Sequence, residues 1–229
     1  MPSHSREMFK RAALLLCTLG LAACSALPGG REESRAPSSA ARPGPTNNLD
    51  NQCLRQLGAA GAAFTPLPDR YIAPGCTNLN TVQLQSWPSD RATLVATNLG
   101  PVTCSVSQAF VGWARFGVDR AAREILGSPL RSIETMGSYT CRNVAGSSRR
   151  SGHATGDAID IGGFVLENGH RISVKAGWNG GTAQEREFLR VVRQSACKRF
   201  GTVLSPDYNA AHHDHLHLEG VIAGSAFCR

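Results

Sequence analysis

The chain has 229 residues, of which 41% are hydrophobic and 18% are charged. This balance is typical of a soluble globular protein and excludes a wholly disordered chain, while the length excludes a large multidomain protein. The 24 lysine and arginine residues outnumber the 17 acidic residues, giving a formal net charge of +7, and eight cysteines are many for this length. We therefore expect a folded domain that is cross-linked by disulfides.

The first 23 residues have the pattern of a secretory leader. Lys10 and Arg11 precede an apolar run at 12–22, which is too short for a spanning helix, because such a helix needs about 20 residues. The run ends at Leu-Ala-Ala-Cys24, which resembles the lipobox of bacterial lipoproteins. Residues 1–23 are therefore predicted to be a lipoprotein signal peptide, with Cys24 lipidated and inserted in a lipid bilayer. An ordinary signal peptidase site with unmodified Cys24 is the alternative.

The predicted location follows from the leader and from the residue after Cys24. Ser25 resembles the pattern of lipoproteins that are sorted to the outer membrane, so we expect an exported protein anchored there and facing the periplasm. Residues 24–52 are rich in Pro, Gly, Ser and Ala and have few apolar side chains to bury. Such a composition predicts a flexible tether. Residues 53–229 have the length of one domain.

The predicted domain contains six cysteines: Cys53, Cys76, Cys104, Cys141, Cys197 and Cys228. An even number in an exported chain predicts disulfides. Zinc binding by thiolates is the alternative, although no C-x₂-C spacing occurs. Pairing of near neighbours along the chain would join Cys53 to Cys76, Cys104 to Cys141 and Cys197 to Cys228.

The helices of the domain can be predicted from capping residues and apolar spacing. Ser107 is expected to cap a helix that runs through Phe116, and Asp119 a second helix that runs through Leu126 and ends at Gly127 and Pro129. Residues 131–136 are predicted to form a short helix or strand. Thr182 and Glu185 form a capping box ahead of a segment whose apolar residues have helical spacing.

The strands of the domain are predicted mainly in its C-terminal half. Residues 158–166 and 171–174 are rich in β-forming side chains, and the Asn-Gly pair between them is a strong hairpin signal. Residues 202–204 and 215–218 are predicted to be further short strands. The predicted fold class is therefore α+β, with a small antiparallel sheet that carries the candidate metal site, is flanked by helices and is cross-linked by disulfides.

Histidines cluster in two segments of the sequence. Five of the seven are His153 and the four between positions 212 and 217. In a strand, alternate side chains share a face, so His215 and His217 are expected to point the same way. Paired imidazoles are common zinc ligands, and zinc completes its tetrahedron with a further nitrogen or a carboxylate.

The segment 151–160 offers those further ligands. Gly156 allows a tight turn after His153, and Asp160 alternates with apolar residues in a predicted strand. A carboxylate there would be costly to bury without a counter-charge, which a metal ion provides. His153, Asp160 and one late histidine would leave a fourth position for water, as in a catalytic zinc site. In the alternative, Asp160 pairs with an arginine and the late histidines form a surface tail.

These residues carry a family resemblance. Residues 151–160 match S-x-H-x-x-G-x-A-x-D, and 215–217 match the H-x-H, of the zinc peptidases that include D-Ala-D-Ala carboxypeptidases, lysostaphin-like endopeptidases and murein endopeptidases. The whole domain resembles the bacterial extensin-like C-terminal domain family more closely. The matching residues are Gly137-Ser-Tyr-x-Cys-Arg142, the run SGHATGDAIDIGGF, Trp178, Phe188-Leu-Arg190, Cys197 and the run HHDHLHLE.

The resemblance implies that His153, Asp160 and His217 bind Zn²⁺. The peptidases keep an acidic residue three positions before the last ligand or a histidine two positions before it, so Asp214 and His215 are both candidates for the catalytic base. Strand alternation favours His215, whereas Asp214 would qualify only if the strand begins after it.

Arg142 resembles an arginine of the peptidases that would bind a substrate carboxylate or steady a developing oxyanion. A structural salt bridge is the alternative role for Arg142.

The charge of the domain bears on its partners. Its 18 basic and 13 acidic residues give a modest positive field, which suits the free carboxylates of peptidoglycan stem peptides. Nucleic acid is not a predicted partner, because no basic stripe alternates with stacking aromatics. Together with the resemblance, these features predict a monomeric zinc-dependent peptidase that cleaves amide bonds in peptidoglycan. The alternative is a non-catalytic wall-binding lipoprotein with a structural metal site.

Overall fold

The computed structural model describes residues 48–229. The predicted leader, the lipidated Cys24 and most of the predicted tether lie outside the described residues. The first helix, α1, begins at Asn48, which is earlier than the predicted domain start at Cys53. No helix within the described part of the chain is long and apolar enough to cross a membrane.

The described residues form five α-helices and twelve strands. The α-helices are α1 (Asn48–Ala59), α2 (Cys104–Trp113), α3 (Arg120–Leu126), α4 (Val174–Gly180) and α5 (Ala183–Ala196). The strands are β1 (Ala63–Pro66), β2 (Arg70–Ala73), β3 (Cys76–Asn78), β4 (Thr81–Pro88), β5 (Thr93–Thr97), β6 (Val102–Thr103), β7 (Leu130–Gly137), β8 (Ala158–Leu166), β9 (Arg171–Ser173), β10 (Phe200–Leu204), β11 (Leu216–Val221) and β12 (Phe227–Cys228).

Within residues 48–229, ten strands form one large sheet in the order β1-β4-β5-β7-β8-β11-β10-β12, with β6 added beside β4 and β9 beside β8. Strands β2 and β3 form a separate two-stranded sheet. Most neighbours are antiparallel, but β5 is parallel to β7 and β10 is parallel to β12. The α+β class is confirmed. The prediction of a small antiparallel sheet is wrong, because β1, β4, β5 and β6 extend the sheet and two strand pairs are parallel.

The predicted start of the central helix is also wrong. Helix α2 begins at Cys104, and Ser107 lies buried inside it. A π-helical segment, Ala114–Asp119, continues α2 directly into α3. Asp119 makes no capping hydrogen bond at α3; its carboxylate instead accepts a hydrogen bond from the backbone N–H of Leu130 at 3.0 Å.

Other local predictions are confirmed. Helix α3 ends at Gly127, whose left-handed φ of 69° suits glycine. Residues 131–136 lie in strand β7. Strands β8 and β9 form the predicted hairpin, with Gly169 at φ 86° in its turn, and Thr182 and Glu185 make the reciprocal bonds of a capping box. The two late strands are β10 and β11, but β11 begins at Leu216, so His215 precedes the strand in which it was predicted.

All six cysteines of the domain form disulfides, as predicted. The pair Cys197–Cys228 is confirmed. The other two predicted pairings are wrong, since the bonds are Cys53–Cys104 and Cys76–Cys141. The first joins α1 to the start of α2, and the second joins the β2–β3 sheet to the loop after β7. Both connect segments that are distant in sequence, so pairing by nearness along the chain could not find them.

An aromatic core fixes the helices on one face of the sheet. Trp113 of α2 packs edge-on against Phe164 of β8 and Phe200 of β10, with ring centroids 6.1 and 6.4 Å apart. Phe188 of α5 packs against Phe164 at 5.2 Å. These rings are completely or almost completely buried. Burial of each large apolar side chain contributes about 1.5–3 kcal/mol, so packing on this face contributes strongly to stability.

The alternation of β8 and β11 decides which residues face away from this core. Four apolar residues of the two strands pair across the ladder and join the core: Ile159, Ile161, Leu216 and Leu218. Asp160 and His217 pair with each other between them. Because successive side chains point to opposite faces of a strand, Asp160 and His217 lie together on the face opposite the helices.

Candidate metal centre

Three elements bring the candidate ligands together. Strands β8 and β11 place Asp160 directly opposite His217. A 3₁₀ turn, Gly152–Thr155, carries His153, and the hydroxyl of Ser151 caps this turn. Gly156 follows at φ 67° and turns the chain into β8. The side chains of His153, Asp160 and His217 are all buried, so the predicted ligands form one group at the sheet surface.

The ligand atoms of this group converge. His153 Nε2 lies 3.1 Å from Asp160 Oδ2 and 3.2 Å from His217 Nδ1. His217 Nδ1 lies 2.8 Å from Asp160 Oδ1. A tetrahedral zinc ion with bonds of about 2.0–2.1 Å separates its ligand atoms by about 3.3 Å. The separations are therefore within about 0.5 Å of those that zinc requires, and two imidazoles with one carboxylate are a donor set that zinc accepts.

The outer nitrogen of each imidazole is already engaged. His153 Nδ1 donates a hydrogen bond of 2.7 Å to the carbonyl oxygen of Ser138, and His217 Nε2 donates one of 2.9 Å to the carboxylate of Glu219. Both partners are acceptors, so each of these nitrogens carries the proton. The lone pairs of the neutral rings therefore lie on His153 Nε2 and His217 Nδ1, which point at Asp160. Such outer partners orient the histidine ligands of metal sites.

The lone pairs of His153 Nε2 and His217 Nδ1 face the negative carboxylate of Asp160, and this arrangement is stable only with positive charge between them. Without a metal, protons on imidazole provide it. Burial alone would lower the pKa of His217, but hydrogen bonds to Asp160 and Glu219 outweigh burial and raise this pKa to about 9. Burial would raise the pKa of Asp160, but the hydrogen bonds from His153 and His217 hold it well below its usual range. The two carboxylates therefore stabilise positive charge on His217.

Asp214 and His215 form a second, adjacent pair. His215 Nδ1 donates a hydrogen bond of 2.9 Å to Asp214 Oδ1. His215 Nε2 lies 3.5 Å from Asp160 Oδ1. His215 is buried, whereas Asp214 is partly exposed. The carboxylate of Asp214 therefore orients the ring of His215 so that its Nε2 faces the candidate ligands.

Arg142 lies beside the same group, on the loop after β7. Its Nη2 is 3.9 Å from Asp160 Oδ2, and its side chain is 46% exposed. A separation of 3.9 Å is at the outer limit of a salt bridge, so Asp160 interacts only weakly with the guanidinium. Arg142 therefore has exposed donors next to the candidate ligands.

An open cleft of about 330 Å³ adjoins the ligands. Its lining includes Arg142, His215, His217, Glu219 and His212. Partial burial, and then the nearby His215 and His217, lower the pKa of His212 to about 4. His212 is therefore neutral near pH 7. A substrate in this cleft would contact the candidate base, one candidate ligand and the arginine.

A disulfide holds the loop that carries several of these groups. Cys141 precedes Arg142 and is bonded to Cys76 of β3. The guanidinium of Arg150, on the same loop, donates hydrogen bonds to the carbonyl of Pro74 at 2.8 and 3.0 Å. The loop is thus attached to the β2–β3 sheet at two places, which limits the movement of the Ser138 carbonyl and of Arg142.

Sequence reasoning missed Ser138, Glu219 and Gly152. Glu219 follows His217 by two positions, so the alternation that linked His215 to His217 also placed Glu219 on the same face. Gly152 packs against Glu219, since a Cβ atom at position 152 would lie 2.6 Å from Glu219 Cδ. The role of Ser138 depends on its backbone carbonyl, for which the sequence has no signal.

Two further histidines of the described residues lie outside the ligand group. His170 is 46% exposed and pairs with Glu185 at 3.0 Å. His213 is 57% exposed and lies 3.6 Å from Asp214. The surface tail of the alternative is wrong for His215 and His217, which are buried, whereas its pairing of Asp160 with an arginine is present as the 3.9 Å contact with Arg142.

The fold and the site define a disulfide-linked α+β domain with a buried His-Asp-His group of metal-binding geometry beside an open cleft. Comparison with protein families identifies the domain further, because residues 51–229 match the model of the family described as "Extensin-like protein C-terminus". The chain belongs to this extensin-like C-terminal family. Comparisons with curated proteins and with solved structures gave no significant match.

Proposed function

We propose that the chain is a zinc-dependent peptidase that hydrolyses amide bonds in the peptides of peptidoglycan. The observation that carries the proposal is the convergence of His153 Nε2, Asp160 and His217 Nδ1, with both outer imidazole nitrogens held by acceptors. His153, Asp160 and His217 would hold the ion. Bound zinc would polarise the scissile carbonyl and lower the pKa of a water molecule to about 7.

The neighbouring residues suit the remaining steps of amide hydrolysis. His215 Nε2 accepts a proton from the attacking water, because Asp214 holds the other ring nitrogen in its protonated form. The same nitrogen can return the proton to the leaving amine. The exposed guanidinium of Arg142 binds a substrate carboxylate or the developing oxyanion. Of the two candidates for the base, this geometry favours His215, with Asp214 as its orienting partner.

The resemblance to D-Ala-D-Ala carboxypeptidases and murein endopeptidases supports peptidoglycan as the substrate. The segments 151–160 and 215–217 that match these peptidases carry every proposed ligand and His215. The cationic Arg142 and Arg149 line the cleft, which suits peptides with free carboxylates.

Digestion of purified peptidoglycan tests this function. Zinc-loaded protein should release muropeptides whose masses identify the bond that is cut, and a chelator or Asp160→Asn should abolish the release. Zinc bound at one equivalent without hydrolysis of any peptidoglycan would favour the alternative, a non-catalytic wall-binding lipoprotein with a structural metal. Protein that takes up no zinc would refute both.

We also propose that lipidated Cys24 anchors the domain in the outer membrane, on the periplasmic side. The support is the sequence Leu21-Ala22-Ala23-Cys24 and the Ser25 that follows. Cys24→Ser should abolish labelling by a radioactive fatty acid and move the protein from the membrane to the soluble fraction. Wild-type protein that stays in the membrane without a lipid label would contradict the anchor.

A further inference from the structure

Two exposed aromatic rings form one wall of the cleft. Tyr208 is 41% exposed and Phe227 is 45% exposed, and both line the cleft. Their centroids are 6.1 Å apart and the rings are nearly perpendicular. We call these two residues the aromatic wall. Large exposed aromatic side chains that meet in a cleft are typical of ligand-binding surfaces.

The sheet register gives the distance from the aromatic wall to the candidate ligands. Glu219 of β11 pairs with Thr202 of β10, and Thr202 pairs with Phe227 of β12. Neighbouring strands lie about 4.8 Å apart, so Phe227 is about 10 Å across the sheet from β11, which carries His217. An extended peptide advances about 3.3–3.6 Å per residue. The aromatic wall is thus about three residue lengths from the candidate ligands.

The turn that carries Tyr208 is firmly held. The backbone N–H of Tyr208 donates to the carbonyl of Ser205 at 2.9 Å. The hydroxyl of Ser205 donates to the carbonyl of Arg229 at 2.8 Å, and Asp207 accepts a hydrogen bond of 2.8 Å from the indole N–H of Trp178. These hydrogen bonds hold the backbone of the turn, so Tyr208 stays in position although its side chain is exposed.

Phe227 is held in the same way. The next residue, Cys228, is bonded to Cys197 at the end of α5, and Arg229 lies over one face of the Phe227 ring at 5.0 Å. Rings fixed by a disulfide and by backbone hydrogen bonds lose little conformational freedom when a ligand binds, which favours binding.

We propose that the aromatic wall binds the sugar ring of a glycopeptide whose peptide lies across the candidate metal centre. The inference rests on the proposed function for the identity of the peptide. One face of a sugar ring carries C–H groups that stack on aromatic rings, and its edges carry hydroxyl groups that need polar partners. Thr202 and Asn209 line the cleft next to the two rings and provide such partners.

The two ends of the cleft support this orientation. Arg142 lies at the β8 side, next to Asp160, and the aromatic wall lies at the β12 side. A glycopeptide with carboxylates at its peptide end and a sugar at the other end matches both. The domain would therefore act on peptides still attached to glycan in preference to free peptides.

Binding of two matched ligands tests the inference. One ligand is a stem peptide linked to its disaccharide, and the other is the same peptide without sugar. Surface plasmon resonance on the immobilised, zinc-loaded chain renews the ligand continuously, so hydrolysis does not deplete it. The wild type should bind the sugar-linked peptide about five to ten times more tightly, a factor typical of aromatic contacts. Tyr208→Leu with Phe227→Leu should remove this preference and change the Kd for the free peptide less than about twofold.

Control variants separate ring stacking from other effects. Tyr208→Phe with Phe227→Tyr keeps both rings and should keep the preference. Tyr71→Leu removes an aromatic ring that is 81% exposed and does not line the cleft, and it should also keep the preference. If the double leucine variant does not fold, Tyr208→Leu alone decides the question, because Tyr208 lies on an exposed turn.

Three results would overturn the inference: equal wild-type affinity for both ligands, a preference that survives the leucine changes, or equal loss of affinity for both ligands. The last would show that the aromatic wall holds a peptide side chain. Hydrolysis is measured separately, so a sugar preference without any cleavage would refute the peptidase and keep the aromatic wall. Cleavage without a sugar preference would support the peptidase and refute sugar binding by the aromatic wall.

Discussion

Two histidine–carboxylate pairs in this domain have similar separations and different surroundings. His217 Nδ1 lies 2.8 Å from Asp160, and His170 Nε2 lies 3.0 Å from Glu185. The side chain of His217 is 7% exposed and contacts a second carboxylate, whereas that of His170 is 46% exposed. Interactions between charges are much stronger where water is excluded. A close pair therefore becomes a candidate metal centre only where burial and a third ligand accompany it.

The largest expected effect is the loss of zinc when a candidate ligand is replaced. His153→Ala, Asp160→Asn and His217→Ala should each reduce zinc from about one equivalent to background, because two remaining ligands do not hold the ion. His170→Ala should leave the zinc content unchanged. The measurement is metal analysis by mass spectrometry after extensive dialysis. Full zinc content in all three ligand variants would show that the His217–Asp160 pair binds metal no more than the His170–Glu185 pair does.

The next effect concerns turnover without loss of metal. His215→Ala should lower kcat by about 10²–10⁴, the usual contribution of a general base, while zinc stays bound. Asp214→Asn should lower kcat less, because it affects only the orientation of His215. His213→Ala changes an exposed neighbour and should have no effect. The test is steady-state kinetics on a muropeptide substrate, and unchanged kcat in His215→Ala would exclude it as the base.

A smaller effect is expected from the outer partner of His217. Glu219→Ala should weaken zinc binding about 10- to 100-fold, as is common for carboxylates that orient histidine ligands. The matched change in the exposed pair, Glu185→Ala, should leave zinc affinity unchanged. Competition with a zinc-binding dye measures both. Equal affinities in the two variants would show that Glu219 does not orient the ring.

The smallest expected effect is the pH dependence of stability and of zinc affinity. The pKa of His217 is raised from 6.5 to about 9 without metal, so protonation stabilises the metal-free fold fully below about pH 6.5 and this contribution is lost as pH rises through about 9. Zinc must displace that proton, so its affinity should rise about tenfold per pH unit between pH 7 and pH 9. Denaturant unfolding of metal-free protein and zinc competition at each pH measure the two trends. A zinc affinity that does not change with pH would contradict the raised pKa.

The candidate site was largely predictable because its signals are local. Gly156, Asp160 and His217 occur in short segments whose turns and alternation fix the direction of each side chain. The hairpin at Gly169 and the helix capped by Thr182 were predictable for the same reason. Alternation also predicts that Glu219 shares the face of His217, because it lies two positions further along the strand.

The rest depended on contacts between distant segments. Apart from β4, which has 8 residues, the strands from β1 to β6 have at most 5 residues, which is too short for a clear sequence period. Their position in the sheet comes from pairing with β7 through β5. Cys76 is bonded to Cys141 because the β2–β3 sheet packs beside the loop after β7, and this proximity exists only in the folded chain.

Gly152 illustrates how mutational tolerance can differ from chemical role. It contributes no atom to the ligands, yet a methyl group at this position would overlap the Glu219 carboxyl group. Glu219 would then move away from His217, and the imidazole would lose the acceptor that keeps its proton on Nε2. In a library of single substitutions, position 152 should therefore lose zinc affinity to about the same extent as position 219 and less than the ligands, because the absence of a side chain there determines which nitrogen of a distant histidine is free.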